Sequence, residues 1–326
     1  MIRVEVPVPL TDRLNRGSVV KRCYPWDETV VDWSIPIDDA HDYMPSGFSF
    51  IDGTDLGERL TPAQRSYVTR WEFTRLMRNQ AQGEHILNQA LLGLLYHIDP
   101  YDPAYRYILH EVAEESQHMA MFNQWVRLND DIRTHGMGQD EMGTLVSMAT
   151  PLLATRFPAL LWTLTWLFEV FGDQMARVAT ADPNPRLHPV VRQIMKAHVI
   201  EEARHVTFAR EWLERLHAQM SAAGRRALAR VTEEVLAMVL RLNFPFVPLL
   251  WSPQIRSLVS RRDFRRAMQS PHRRALMQTQ VGAVASVLRE EGIIRQRTLD
   301  QWDRSGRLPR AFLTRKPSFD GITVQL

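Results

Sequence analysis

Cysteine is nearly absent: the 326-residue chain has one, Cys23. A single thiol excludes an internal disulfide framework, and it excludes zinc or iron–sulfur sites held by cysteines. A large charge excess is missing too. The formal net charge is +3, with arginine far outnumbering lysine, whereas a nucleic-acid-binding domain carries a larger excess gathered on one face. Long apolar runs are also lacking. The most apolar stretch, 157–171, is shorter than a bilayer span and contains Glu169, which argues against a transmembrane helix. The N-terminal MIRVEVPVPL has no basic segment followed by an apolar one, so no signal peptide is expected. These absences describe a soluble cytoplasmic protein with neither a nucleic-acid nor a membrane partner. What the chain does have is apolar content of 45%, enough for a sizeable core.

Residues 1–60 are rich in Pro, Asp and Gly and read as an irregular N-terminal arm. From Thr61 the pattern becomes helical. Thr61-Pro62 is an N-cap and first-turn pair, and the periodicity runs to about Ile98, before Asp99-Pro100. Further helices are expected at about 103–128, 143–179, 189–220 and 222–243, with Pro151 and Pro158 kinking or splitting the third long one. Shorter helices are expected at about 253–268 and 271–291, and the last thirty residues read as irregular. The fold class is therefore all-α: one domain over 61–326, built on four long helices with a C-terminal helical extension.

Two segments concentrate titratable side chains. Glu201-Glu202-Ala203-Arg204-His205 has a near twin in Glu114-Glu115-Ser116-Gln117-His118. Residues three apart lie on one helix face, so a Glu-x-x-His pair can grip one metal ion. A lone Glu-x-x-His is more often a solvated face. Here each copy has a further glutamate in the preceding helix: Glu84 lies 31 residues before Glu115, and Glu169 lies 33 before Glu202. Two such hairpins packed antiparallel would bring four carboxylates and two imidazoles into one bundle core, the pattern of carboxylate-bridged di-iron and di-manganese proteins. That donor set suits Fe, Mn or Zn. Glu169 sits in LLWTLTWLFEVFG, where a lone carboxylate would be costly without a cation. The i,i+3 spacing favours Glu115 and Glu202 as ligands. It leaves Glu114 and Glu201 beside the ligands or at the surface, although an i,i+4 pairing also fits a helix. His198 shares a stripe with Glu202 and His205, either as a supporting residue or as a third imidazole ligand; its counterpart in the first copy is Glu111.

Four glutamates and three histidines, with His-x3-Glu-x2-His on one helix, resemble the ligand set of the p-aminobenzoate N-oxygenase family of AurF-type arylamine oxygenases, ferritin-like in fold. Segments Gln82–Asn88, His110–Asn123, Trp166–Gln174 and Ala197–Phe208 carry the resemblance, more weakly joined by RLNRGSVVKR…VVDW near the N-terminus. The resemblance implies that Glu84, Glu115, His118, Glu169, His198, Glu202 and His205 hold two iron ions, with manganese as an alternative. It also implies O2 as co-substrate, a peroxo-di-iron(III) oxidant, and oxygenation of an arylamine to a hydroxylamine or nitro product. A homodimer is implied as well. With neither a flavin fingerprint nor a cysteine cluster in the chain, the electrons are expected from an external donor or reductase.

Three other readings compete. An acyl-carrier-protein desaturase or another di-iron C–H oxidase also uses paired Glu-x-x-His motifs, and a basic pI near 9.2 would suit an acidic carrier; it lacks the third histidine. A radical-generating ribonucleotide reductase subunit calls for tyrosine where this chain has Phe122. A ferroxidase or storage protein would be about half this length. Trp162, Trp166, Phe168 and Phe171 read mainly as core, with one or two available to an aromatic substrate. The arginine-rich 261–276 reads as a solvated face, or as a dock for a carrier or electron donor.

Overall fold

The computed structural model describes residues 8–132, 149–150, 152, 156–242 and 253–313. Among these, helices follow in the order α1 (Val8–Val20), α2 (Asp55–Arg59), α3 (Pro62–Leu95), α4 (Pro103–Leu128), α5 (Pro158–Ala181), α6 (Pro189–Gln219), α7 (Ala222–Leu242), α8 (Pro253–Leu258), α9 (Arg261–Met268), α10 (Pro271–Glu290) and α11 (Gln296–Arg304). No strands occur among the described residues, and one isolated bridge joins Asp42 to Leu187. The all-α expectation holds. No described helix is long and apolar enough to cross a membrane.

All four long helices begin on proline: Pro62, Pro103, Pro158 and Pro189. The ring presets the first-turn φ, and the missing N–H would have been unpaired there anyway. Thr61 and Gln64 form a complete capping box on α3. Asp102 accepts from the Ala104 N–H of α4 at 2.8 Å. Pro158 does split the third predicted helix: Arg156 is helical, Phe157 is not, and α5 starts afresh. Its expected beginning at 143–148 lies outside the described residues.

The helix pairs α3–α4 and α5–α6 pack most extensively. Short turns make each pair antiparallel. Across the pairs, Tyr107 meets Phe208, Glu114 meets His205 and His118 meets Glu201, so α4 and α6 are antiparallel. Gly83 lies against Phe168 and Gly172 against Gln80, so α3 and α5 are antiparallel too. Hence α4 and α5 run parallel, and the end of α4 and the start of α5 lie at opposite ends of the bundle, roughly 40 Å apart at 1.5 Å per residue. A parallel second and third long helix is the arrangement seen in ferritin-like bundles.

Two apolar clusters fill the bundle. One takes Leu87 and Leu91, Tyr107 and Ile108, Trp162 and Trp166, and Phe208 and Trp212. The other takes Phe73 and Met77, Phe122 and Trp125, Met175 and Ala176, and Val191 and Ile194. In every long helix one set of buried glutamates and histidines falls between these clusters (Glu84; Glu111, Glu114, Glu115 and His118; Glu169; His198, Glu201, Glu202 and His205), and these form a polar layer with apolar packing on both sides.

Three expectations differ from the structure. The arm over 1–60 is not wholly irregular: α1 packs on α4 and α6, and the stretch after it is tied down by Asp42 N–H to Arg186 O at 2.7 Å and Ser46 N–H to Asp182 at 2.6 Å. Proline and glycine density signalled the turns after Val20 but hid the helix before them. The segment 253–268 is two helices rather than one, broken at Ser260, whose hydroxyl caps α9 at Asp263 N–H, 3.0 Å. The C-terminal residues include α11, anchored by buried Leu299 and Trp302.

Candidate metal centre

Each long helix delivers its residues to the polar layer at one level. Helix α3 supplies Glu84, α4 supplies Glu115 and His118, α5 supplies Glu169, and α6 supplies His198, Glu202 and His205. All seven are at most 2% exposed. They fall into two adjoining groups, Glu84, His118 and His198 in one and Glu115, Glu169, Glu202 and His205 in the other, with donor atoms inside each group within 4.8 Å of one another. Two carboxylates join the groups. Glu115 Oε2 lies 2.8 Å from His118 Nδ1, and its Oε1 lies 2.6 Å from His205 Nδ1. Glu202 Oε1 is 3.1 Å from His198 Nε2 and 3.3 Å from His118 Nδ1; its Oε2 is 3.5 Å from His205 Nδ1.

The outer nitrogens of two imidazoles are already engaged. His205 Nε2 meets Glu114 Oε2 at 2.8 Å and His118 Nε2 meets Glu201 Oε2 at 3.0 Å. An acceptor carboxylate there fixes the N–H on Nε2 and aims the Nδ1 lone pair inward. Inward lie only carboxylate oxygens, which are acceptors as well. Two acceptors 2.6–2.8 Å apart need a proton or a metal cation between them. Around them, both oxygens of Glu84, Oε1 of Glu169 and Nδ1 of His198 have no hydrogen-bond partner among the described residues. Such atoms are costly to bury.

The electrostatics match. Seven buried glutamates (84, 111, 114, 115, 169, 201 and 202) face three imidazoles and Arg204. In the metal-free chain, protons must supply the missing positive charge. Burial, and then the charge of Glu115, push Glu84 well above the usual carboxylate range. Burial, and then Glu169, do the same to Glu202. Glu169 rises to about 7, from burial first and then Glu115. Burial would lower His118, but Glu115 and Glu201 raise it to about 9. His205 is likewise raised against burial, by Glu115 and Glu202. His198, desolvated and next to His118, is held well below its ordinary value. Against burial, the charges of His205 and His118 keep Glu115 well below. Metal ions would take over from those protons, and a set of carboxylate oxygens and imidazole nitrogens fits Fe, Mn or Zn.

Glu114 and Glu201, left open by the sequence, are buried and cross-brace the site: each motif's first glutamate holds the other motif's histidine. Both are anchored from outside. Arg204 donates to Glu114 at 2.8 Å and to Ser18 of α1 at 3.2 Å, and the Cys23 N–H donates to Glu201 at 2.8 Å. The doubled Glu-Glu of both motifs was the available signal, but only the helix pairing reveals which histidine each one meets. Of the aromatics, Trp162 is fully buried against Phe208 and Trp212, at 5.9 and 5.7 Å between ring centroids, as core. Phe122 lies 5.4 Å from the His198 ring, where a radical-storing tyrosine would otherwise sit.

Comparison with known proteins agrees with this geometry. The sequence model of the family described as P-aminobenzoate N-oxygenase AurF matches residues 9–292. Uncharacterized proteins of Mycobacterium bovis and Mycobacterium tuberculosis are 28% identical over 215 residues. That match takes in 64% of this chain and 61% of theirs. No solved structure matches the chain.

Proposed function

Because the chain belongs to the P-aminobenzoate N-oxygenase AurF family, we propose that it is a di-iron oxidoreductase that places oxygen from O2 on the nitrogen of an amine, in the first instance an arylamine. The observation carrying this reading is the pair of buried carboxylates, Glu115 and Glu202, that each face imidazoles of both groups. Glu115 and Glu202 would hold both ions. Glu84, His118 and His198 would complete one position, and Glu169 and His205 the other. Iron bound there would supply the electrons and the binding site that O2 reduction needs.

The rest of the chemistry belongs to the chain. Glu114 and Glu201 keep the two imidazoles oriented and raise their basicity. The apolar clusters on either side keep bulk water from the layer. Oxygenating an amine to a hydroxylamine with O2 consumes two electrons and two protons and releases water, so an external donor belongs to the proposal. The third imidazole, His198, sets this donor array apart from that of the desaturase reading.

Anaerobic iron(II) loading, metal analysis and an optical scan on mixing with O2 test the proposal. Two irons per chain and a transient visible band are expected, followed by hydroxylamino or nitro product from an aminobenzoate under reductant. One metal or none, with no O2-dependent band, overturns the di-metal reading. A reactive two-iron chain that leaves a broad arylamine panel untouched overturns the N-oxygenase assignment.

A further inference from the structure

The bundle's two halves repeat each other, and the repeat exposes one residue without a role. Helix α6 carries His198-x3-Glu202-x2-His205, and helix α4 carries Glu111-x3-Glu115-x2-His118 in the same register. Glu202 corresponds to Glu115, His205 to His118, and Glu169 of α5 to Glu84 of α3. His198 therefore corresponds to Glu111. Both residues are buried, at 2% and 0% exposure. His198 Nε2 lies 3.1 Å from Glu202 Oε1, whereas neither oxygen of Glu111 has a hydrogen-bond partner among the described residues. One turn before Glu111 on the same face, the buried Tyr107 hydroxyl also lacks one among the described residues. Burial acts on Glu111 most, followed by the charges of His205, Glu169, Glu115 and Glu114, and the first two of these are the terminal pair of the second group.

The halves are otherwise unequal. With Glu115 and Glu202 shared, the first position has three terminal residues, Glu84, His118 and His198, and the second has only Glu169 and His205. We propose that Glu111 is an eighth metal-holding residue, serving the Glu169–His205 position as His198 serves the other. Its oxygens lie outside the close group of donor atoms, so the side chain closes on the ion by rotating about its own bonds, which no hydrogen bond to a described residue opposes. The two positions then differ in charge: the first has one terminal carboxylate and two imidazoles, the second two carboxylates and one imidazole. The first is the better seat for a more reduced ion, and the second stabilises a more oxidised one. This inference rests on the di-metal reading above.

Anaerobic cobalt(II) titration of the full chain, followed by visible absorption, provides the test. The unaltered protein should take two equivalents. Glu111→Ala should bind the first as before and the second at least tenfold more weakly. Glu111→His, which makes both helices read His-x3-Glu-x2-His, should restore the second equivalent with a shifted cobalt band. Two equivalents bound by Glu111→Ala with unaltered affinity would overturn the assignment. So would a loss that neither Glu111→His nor Glu111→Asp restores while circular dichroism shows the fold retained; that result gives Glu111 a packing role. A wild-type chain that takes up no cobalt would instead overturn the di-metal reading itself.

Discussion

Gly83 and Phe168 flank Glu84 and Glu169, and their contact sets how closely α3 and α5 approach at the candidate centre. A Cβ on Gly83 would stand 2.1 Å from Phe168 Cζ and 2.5 Å from Cε2. Carbon atoms sit comfortably at about 3.5–4.0 Å, so Gly83→Ala must displace the ring or the helix by roughly 1.5 Å. Two effects oppose each other. Alanine gains about 1 kcal/mol over glycine within a helix. Overpacking a filled interior costs about 1–3 kcal/mol. The net change is thus small, and stability alone would mislead. A double-mutant cycle separates the terms. In a Phe168→Ala background, Gly83→Ala should stabilise by the full ~1 kcal/mol, and the coupling between the two sites should be about 1–3 kcal/mol. Urea unfolding of the four metal-free proteins measures this, and cobalt(II) titration of the same proteins reads the consequence. Prising Glu84 away from Glu169 should weaken metal binding about tenfold in Gly83→Ala alone, in line with the sensitivity of metal sites to ligand placement. If Gly83→Ala stabilises equally in both backgrounds and binds metal like the parent, the close approach does not hold the site together and the reasoning fails.

Three further outcomes are expected. Glu169→Ala, which removes a carboxylate 1% exposed in an apolar helix, should lose at least one iron per chain; full occupancy on metal analysis would refute its role. Glu114→Gln leaves His205 Nε2 facing an amide and should lower metal affinity about 10- to 100-fold without unfolding the chain, and an unchanged binding isotherm would reduce the Glu114–His205 contact to packing. Away from the centre, Glu72 is fully buried, accepts from Ser49 and from the Phe50 N–H, and is raised to about 8, chiefly by burial. The native state then holds a proton that the unfolded chain releases near 4.5. The stabilising contribution is complete below that pH and is lost as pH climbs through about 8. Glu72→Gln, a neutral isostere, should flatten stability between pH 5 and 8 and exceed the parent above it, as denaturant titrations across pH would show.

Much of the site was legible in one dimension because its chemistry is local. Glu-x-x-His pairs are made within one helix, proline starts are set by the φ of one residue, and a lone glutamate among tryptophans and leucines signals its own cost. Those features determined the four long helices and the seven residues that the structure draws together. Local pattern stops at the helix surface. Glu114 and Glu201 are adjacent in sequence to Glu115 and Glu202, and only the antiparallel crossing of α4 over α6 turns each toward the other motif's histidine. The α1 helix was hidden among prolines and glycines because its stability comes from packing on α4 and α6, not from its own weakly apolar face. Glu111 could be counted off as the counterpart of His198, but its burial and its lack of a hydrogen-bond partner among the described residues follow from helices closing around it. Sequence alone determined which groups are present and at what spacing along each helix. Tertiary structure decided which groups share a layer, which carboxylates span both positions and which polar atoms are left facing inward, because those distances run between helices far apart in the chain.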